Sequence, residues 1–189
     1  MRVIGGTARS LPLKTPEGMD TRPTTDRIKE TLFNMIQYEL PGCVFMDLFS
    51  GSGGIGIEAL SRGAEKAYFV ESSSRAIACI KQNLTFTKLQ ERGIVLKQDV
   101  CGALTGIADR QEMKGVDIIF MDPPYGQDYE KKVLAVLAGM SYVTNDTLII
   151  AEAALKADFS WVSELGFCQI REKCYKTNKH IFIKRTFSA

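Results

Sequence analysis

Histidine is nearly missing from this 189-residue chain: His180 is the single copy. With no second imidazole available to join it, there is no His pair to hold a metal. A base for a hydrolase triad is equally poorly supplied, since His180 sits in a basic, strand-like tail. The five cysteines, Cys43, Cys79, Cys101, Cys168 and Cys174, are odd in number and none shows CxxC spacing. A disulfide framework and a zinc cluster are therefore not expected, and the cysteines read as free thiols. Long hydrophobic runs are lacking, so no membrane span is expected. The stretch Met1-Arg2-Val3-Ile4-Gly5-Gly6 has no apolar signal core, and the expected location is cytoplasmic. No metal, no membrane partner and, for want of a self-complementary apolar patch, a monomer are the starting expectations.

Charge of one sign is also scarce overall, with 24 Lys and Arg against 22 Asp and Glu. Its distribution is uneven. Residues 1–16 hold Arg2, Arg9 and Lys14 and no acid; residues 171–185 hold six bases against the single acid Glu172. Two basic ends suit a polyanion, although a solvated charged face reads the same way. Repeats, low-complexity tracts and linkers are absent. The whole chain, 1–189, reads as one domain, with an N-terminal extension and helix over 1–41 and a core over 42–189.

Residues 1–23 carry too many glycines and prolines for a helix. Thr24, Thr25 and Asp26 then offer N-caps, and Ile28, Leu32, Met35 and Ile36 recur at helical spacing until Pro41-Gly42. From residue 43 the pattern alternates. Strands are predicted over 44–48, 67–70, 93–96, 116–121 and 147–151, with helices over 55–61, 75–86, 100–108 and 128–138 between them. Such alternation predicts a doubly wound, mostly parallel α/β sheet, in which ligands bind beyond the carboxyl ends of the strands. Strand-like stretches over 166–174 and 180–184, around a turn at Lys176-Thr177-Asn178-Lys179, predict an antiparallel hairpin that brings the sheet to seven strands.

Four acids, Asp47, Glu71, Asp99 and Asp122, fall at or just beyond predicted strand ends. Gly51-Ser52-Gly53-Gly54-Ile55-Gly56 follows the first strand and opens a helix, which fits GxGxxG through Gly51, Gly53 and Gly56. Glu71 lies twenty residues after Gly51 and is placed to accept from ribose hydroxyls. These features alone leave a nicotinamide cofactor and S-adenosylmethionine open. Asp47 favours the second, because a carboxylate there suits a cationic methionine amine better than a pyrophosphate. Asp99 could accept from an adenine amine, or equally cap the helix that follows.

Asp122-Pro123-Pro124-Tyr125 ends the fourth strand. Two fixed φ angles stiffen the turn, a carboxylate and a rigid carbonyl offer acceptors, and an aromatic ring follows. That set suits a flat base bearing an amine: Asp122 and the Pro123 carbonyl accept its hydrogens, and Tyr125 stacks on its face.

With those residues in view, the chain resembles the bacterial 16S rRNA (guanine-N2)-methyltransferases, within the class I S-adenosylmethionine-dependent group with its Rossmann-like sheet. The resemblance is carried by Arg22-Pro23-Thr24-Thr25-Asp26-Arg27, Glu30-Thr31-Leu32-Phe33, Asp47-Leu48-Phe49-Ser50-Gly51-Ser52-Gly53, Glu58-Ala59-Leu60-Ser61-Arg62-Gly63-Ala64, Phe69-Val70-Glu71 and the Asp-Pro-Pro-Tyr turn. It implies methyl transfer to N2 of a guanine in 16S rRNA (guanine 966 in the usual bacterial numbering) within an assembling 30S subunit, with S-adenosylhomocysteine as product and no metal. It implies Asp47, Phe49, Gly51, Gly53, Glu71, Ser72, Asp99 and Val100 around the cofactor, and Asp122, Pro123, Pro124 and Tyr125 at the chemistry. Arg2, Arg9, Arg22, Thr24, Arg27, Lys176 and Lys179 are the expected RNA contacts. Ser50 stands where that family usually has Ala, and Arg9-Ser10-Leu11-Pro12 departs from its usual Arg-Gly run. The Asp-Pro-Pro-Tyr turn is shared with DNA adenine-N6 methyltransferases, so that activity stands as the alternative, followed by a non-catalytic RNA-binding module.

Overall fold

The computed structural model describes residues 1–16, 26–109, 115–124, 126 and 128–186. Five parallel strands form its centre: β1 Val44–Leu48, β2 Lys66–Glu71, β3 Gly93–Lys97, β4 Ile118–Met121 and β5 Leu148–Ala154. Helices α1 Asp26–Met35, α2 Gly54–Ser61, α3 Ser74–Phe86, α4 Val100–Asp109 and α5 Tyr129–Ala138 accompany them. The hairpin of β6 Phe167–Cys174 and β7 Asn178–Arg185 completes a seven-stranded sheet in the order β3-β2-β1-β4-β5-β7-β6. β7 runs antiparallel to both its neighbours. The sequence pattern anticipates every one of these strands and helices; the short 3-10 turns Gln90–Arg92 and Ser160–Leu165 it misses.

β4 is apolar throughout because it lies between β1 and β5, with both faces of the sheet covered. Ile118 and Phe120 join one buried cluster, with Phe45, Ile57 and Phe69; Ile119 and Met121 join the other, with Leu104, Val133 and Leu137. β5 runs on to Ala154, three residues past its expected end, because β7 pairs with Glu152, Ala153 and Ala154 through His180, Lys179 and Asn178. β1 and β4 are sequence-distant neighbours. Between them the winding of the sheet reverses, which opens a crevice at their carboxyl ends.

The N-terminal segment packs as part of the first cluster, through Val3, Ala8 and Leu13. Glu58, fully buried in α2, holds it there. Its carboxylate accepts from the N–H of Ile4 at 2.7 Å and of Gly5 at 2.8 Å, and from Arg62 Nε at 2.8 Å. Lys29 Nζ lies 3.2 Å from the same carboxylate and donates to the Arg2 carbonyl at 2.6 Å. Every charge in this buried group thus has a partner, which is the condition for its tolerance in a core. Helix α1 ends at Met35, earlier than Pro41-Gly42 would require, and its buried face is Lys29, Leu32 and Phe33.

Candidate active site

The loop after β1 is shaped by backbone that ordinary residues avoid. Phe49 sits at φ 64°, a left-handed conformation that is uncommon for a bulky residue and recurs at functional sites. Gly51 follows at φ 54°, and a Cβ there would meet open space. Gly56 is needed for close packing instead: its missing Cβ would stand 2.4 Å from the Phe69 ring, so only glycine brings α2 onto β2. The Phe49 ring packs edge-on against Tyr129 of α5 at 5.6 Å.

Each predicted acid has a defined setting. Asp47, 2% exposed, accepts from the Gly56 N–H at 2.9 Å through Oδ2. Burial pushes its carboxyl up to about 7, with Glu71 adding to the rise and the Gly56 bond opposing it. Glu71, the last residue of β2, accepts from the N–H groups of Gly51 (2.9 Å), Ser72 (2.9 Å) and Ser73 (2.8 Å). It therefore ties the glycine loop to the start of α3. Asp99 is exposed and accepts from the Gly102 N–H at 2.9 Å, the helix-capping alternative, with Val100 buried beside it.

Asp122 leaves β4 half-buried, Pro123 is buried and Pro124 is exposed. Tyr125 lies outside the described residues. Among the described residues the charges acting on Asp122 are all carboxylates, Glu152 first, then Asp47 and Glu130; together with the larger effect of burial they raise it to about 8. Glu152 is a residue the sequence pattern missed. The β4–β5 pairing ends at Met121 and Ala151, so Asp122 leaves β4 where Glu152 continues β5. Glu152 in turn pairs with His180 across to β7. Its carboxylate accepts from Asn178 Nδ2 and lies 3.1 Å from His180 Nε2, while His180 Nδ1 meets the Tyr175 hydroxyl at 3.1 Å. The lone histidine is thus tied to the site through Glu152 and Tyr175. The signal for Glu152 is a carboxylate inside an otherwise apolar strand, but its neighbours come from a hairpin some 26 residues away in sequence.

The basic residues divide. Arg2, Arg9, Arg27 and Lys176 are exposed, and Arg2 Nε pairs with Asp26 at 2.9 Å. Arg22 and Thr24 lie outside the described residues. Lys179 departs from the expectation. It is 8% exposed, and its ammonium sits 3.2 Å from Glu172, because the β6–β7 pairing folds the two side chains together. A separate cavity of about 520 Å³ opens at the opposite ends of the strands, among Cys43, Asp117, Leu148 and Lys184, away from these acids.

A crevice of acids and glycines over the β1–β4 reversal, on a sheet whose last strands run antiparallel, defines a Rossmann-like methyltransferase. The family model described as "Conserved hypothetical protein 95" matches residues 1–184. The chain is 42% identical over 152 residues to the "Putative rRNA methyltransferase YlbH" of Bacillus subtilis, covering 80% of this chain and 82% of that protein. It is 34% identical over 155 residues to the "Ribosomal RNA small subunit methyltransferase D" of Haemophilus influenzae, covering 80% and 78%. The solved structure described as "Putative methyltransferase yhhF from Escherichia coli" superposes with a TM-score of 0.80 at 28% identity, covering 98% of both chains. The chain belongs to this conserved hypothetical protein 95 family, which its relatives named methyltransferase D share.

Proposed function

We propose that this protein is an S-adenosylmethionine-dependent methyltransferase that modifies the N2 amine of a guanine in small-subunit rRNA. The observation that carries the reading is the charge of the crevice. Asp47 and Asp122 are both raised by burial and by other carboxylates, so the site is short of positive charge. A pyrophosphate would worsen that imbalance and a sulfonium with an ammonium group would relieve it. The open space at Gly51 and the left-handed loop around it fit the same ligand.

When bound, the cofactor supplies an electrophilic methyl group and leaves as S-adenosylhomocysteine. Asp47, Phe49, Gly51, Gly53, Glu71, Ser72, Asp99 and Val100 would hold it, with Glu71 keeping the loop in shape through its three backbone bonds. Asp122 and the Pro123 carbonyl accept the two hydrogens of the substrate amine. Their acceptance draws the nitrogen lone pair out of conjugation and stabilises the positive charge that grows there. A carboxylate held in a low-polarity site is also a stronger base once charged, so Asp122 can take the proton that the methylated nitrogen sheds. Tyr125 is proposed to stack on the base, which offsets part of the cost of unstacking it. Pro124 keeps the turn rigid.

The relatives named as rRNA methyltransferases, one of them for the small subunit, support rRNA as substrate, and the exposed Arg2, Arg9, Arg27 and Lys176 supply charge for it. Arg22 and Thr24 join them from the sequence pattern; Lys179 is withdrawn because it is buried against Glu172, whereas Arg2 stays exposed beside Asp26. We take the chain as a single-domain monomer working on 16S rRNA in an assembling 30S particle, at the guanine 966 that the resemblance implies. The test supplies methyl-labelled S-adenosylmethionine with naked DNA, naked rRNA and small-subunit particles, followed by nucleoside analysis. Label in N2-methylguanosine from rRNA or particles is expected. Label in N6-methyladenosine would refute the reading.

A further inference from the structure

Glu152 has no part in the chemistry above, yet it is buried beside the residue that does. The β4–β5 ladder ends at Met121 and Ala151, so Asp122 and Glu152 are the next residues along the two chains, and Glu152 shares its face of β5 with Ile150, the ladder partner of Phe120. His180 lies on that face too, with the Phe120 ring edge-on to its own at 5.9 Å. The carboxylate is held from behind. Asn178 Nδ2 donates to Oε1, and His180 Nε2 meets Oε2 at 3.1 Å. On the far side of the ring, His180 Nδ1 meets the Tyr175 hydroxyl, 3.1 Å away. The chain Tyr175–His180–Glu152 so fixes an acceptor that uses two of its roughly four lone-pair positions among the described residues.

A second buried acceptor stands next to it. Asn178 is 5% exposed, and its Oδ1 has no hydrogen bond among the described residues. Leaving such an atom unpaired is costly, so it calls for a donor beyond the described residues. The region around Asp122 therefore offers acceptors and asks for donors.

Guanine answers that demand in a way that adenine and cytosine do not. Beside its N2 amine, guanine carries N1–H, a second donor on the same edge. Adenine and cytosine place a bare ring nitrogen, an acceptor, beside their amines. We propose that Glu152 reads the base: its carboxylate accepts the N1–H of the target guanine while Asp122 and the Pro123 carbonyl hold the N2 amine. This rests on the guanine-N2 reading above and supplies the selectivity that the widely shared Asp-Pro-Pro-Tyr turn lacks. A ring nitrogen lone pair facing the Glu152 carboxylate meets acceptor against acceptor, and a site built for a donor rejects such an analogue strongly.

The test uses the full-length protein and small-subunit rRNA carrying, at the mapped methylation position, either guanine or 2-aminopurine. 2-Aminopurine keeps the N2 amine but has a bare N1. Wild-type kcat/KM is expected to favour guanine by about 10²-fold or more. Glu152→Gln presents an amide that donates to a bare N1, and should shrink that preference by at least about tenfold. S-adenosylmethionine affinity, measured by calorimetry, checks that the variant is folded. Two results overturn the proposal: wild-type enzyme that methylates both bases equally well, a comparison that needs no variant, or Glu152→Gln that slows both substrates alike with their ratio unchanged. The second result would make Glu152 a positioning residue for Asp122. Wild-type enzyme that labels adenine overturns the guanine reading along with this one, and shows itself before any variant is made.

Discussion

Asp47 makes a structural bond in a setting that opposes its charge. It ties the first turn of α2 to β1 through Gly56, and it does so at 2% exposure with its carboxyl pushed up to about 7. Between the unfolded value near 4 and the folded value the native protein holds a proton that the unfolded chain has released. Protons bound in excess by the native state make stability fall as pH rises through that window, and Asp122, raised to about 8, acts in the same direction. Without ligand, the urea midpoint is expected to fall between pH 5 and pH 8. Asp47→Asn, which keeps an acceptor for the Gly56 N–H and never ionises, should flatten that slope. Parallel slopes for the two proteins would contradict the raised Asp47.

At the level of elements, strands and helices were legible wherever the signal is local. The apolar run into Asp122, the glycines before α2 and the acid at the end of β2 are written in consecutive residues. Asp99 was legible only as an ambiguity, and in the structure it caps α4. What stayed hidden depends on pairing across the sheet. Glu152 gains its meaning from His180 and Asn178 on β7, and Lys179 loses its availability to Glu172 on β6. No spacing rule within one strand reports a partner on the next. The hairpin gives a direct check on the RNA surface. Lys176→Glu is expected to weaken rRNA binding and to reduce the slope of log K against log salt by about 0.7 for each phosphate that the lysine neutralises. Lys179→Met should leave that slope alone. A slope that responds to Lys179 and ignores Lys176 would reverse the assignment.

Across the whole molecule, topology assembles the site. The reversal of winding between β1 and β4 opens the crevice, and the sheet brings Asp47 and Glu152 near enough for their charges to act on Asp122. The Glu58 cluster anchors the N-terminal segment on the same side of the sheet as Phe120, so a basic stretch borders the sheet that carries the acids. The proposed function divides its tasks over this sheet: cofactor grip at β1 and β2, methyl transfer at the end of β4, and the proposed base reading at β5 and β7. That separation is tested most directly by Asp122→Ala, comparing single-turnover methyl transfer with S-adenosylmethionine affinity by calorimetry. Methyl transfer is expected to fall by on the order of 10²–10³-fold, as when one preorganised group is removed from a developing charge, while affinity is largely kept. Turnover at the wild-type rate would contradict the role given to Asp122 and the division of tasks built on it.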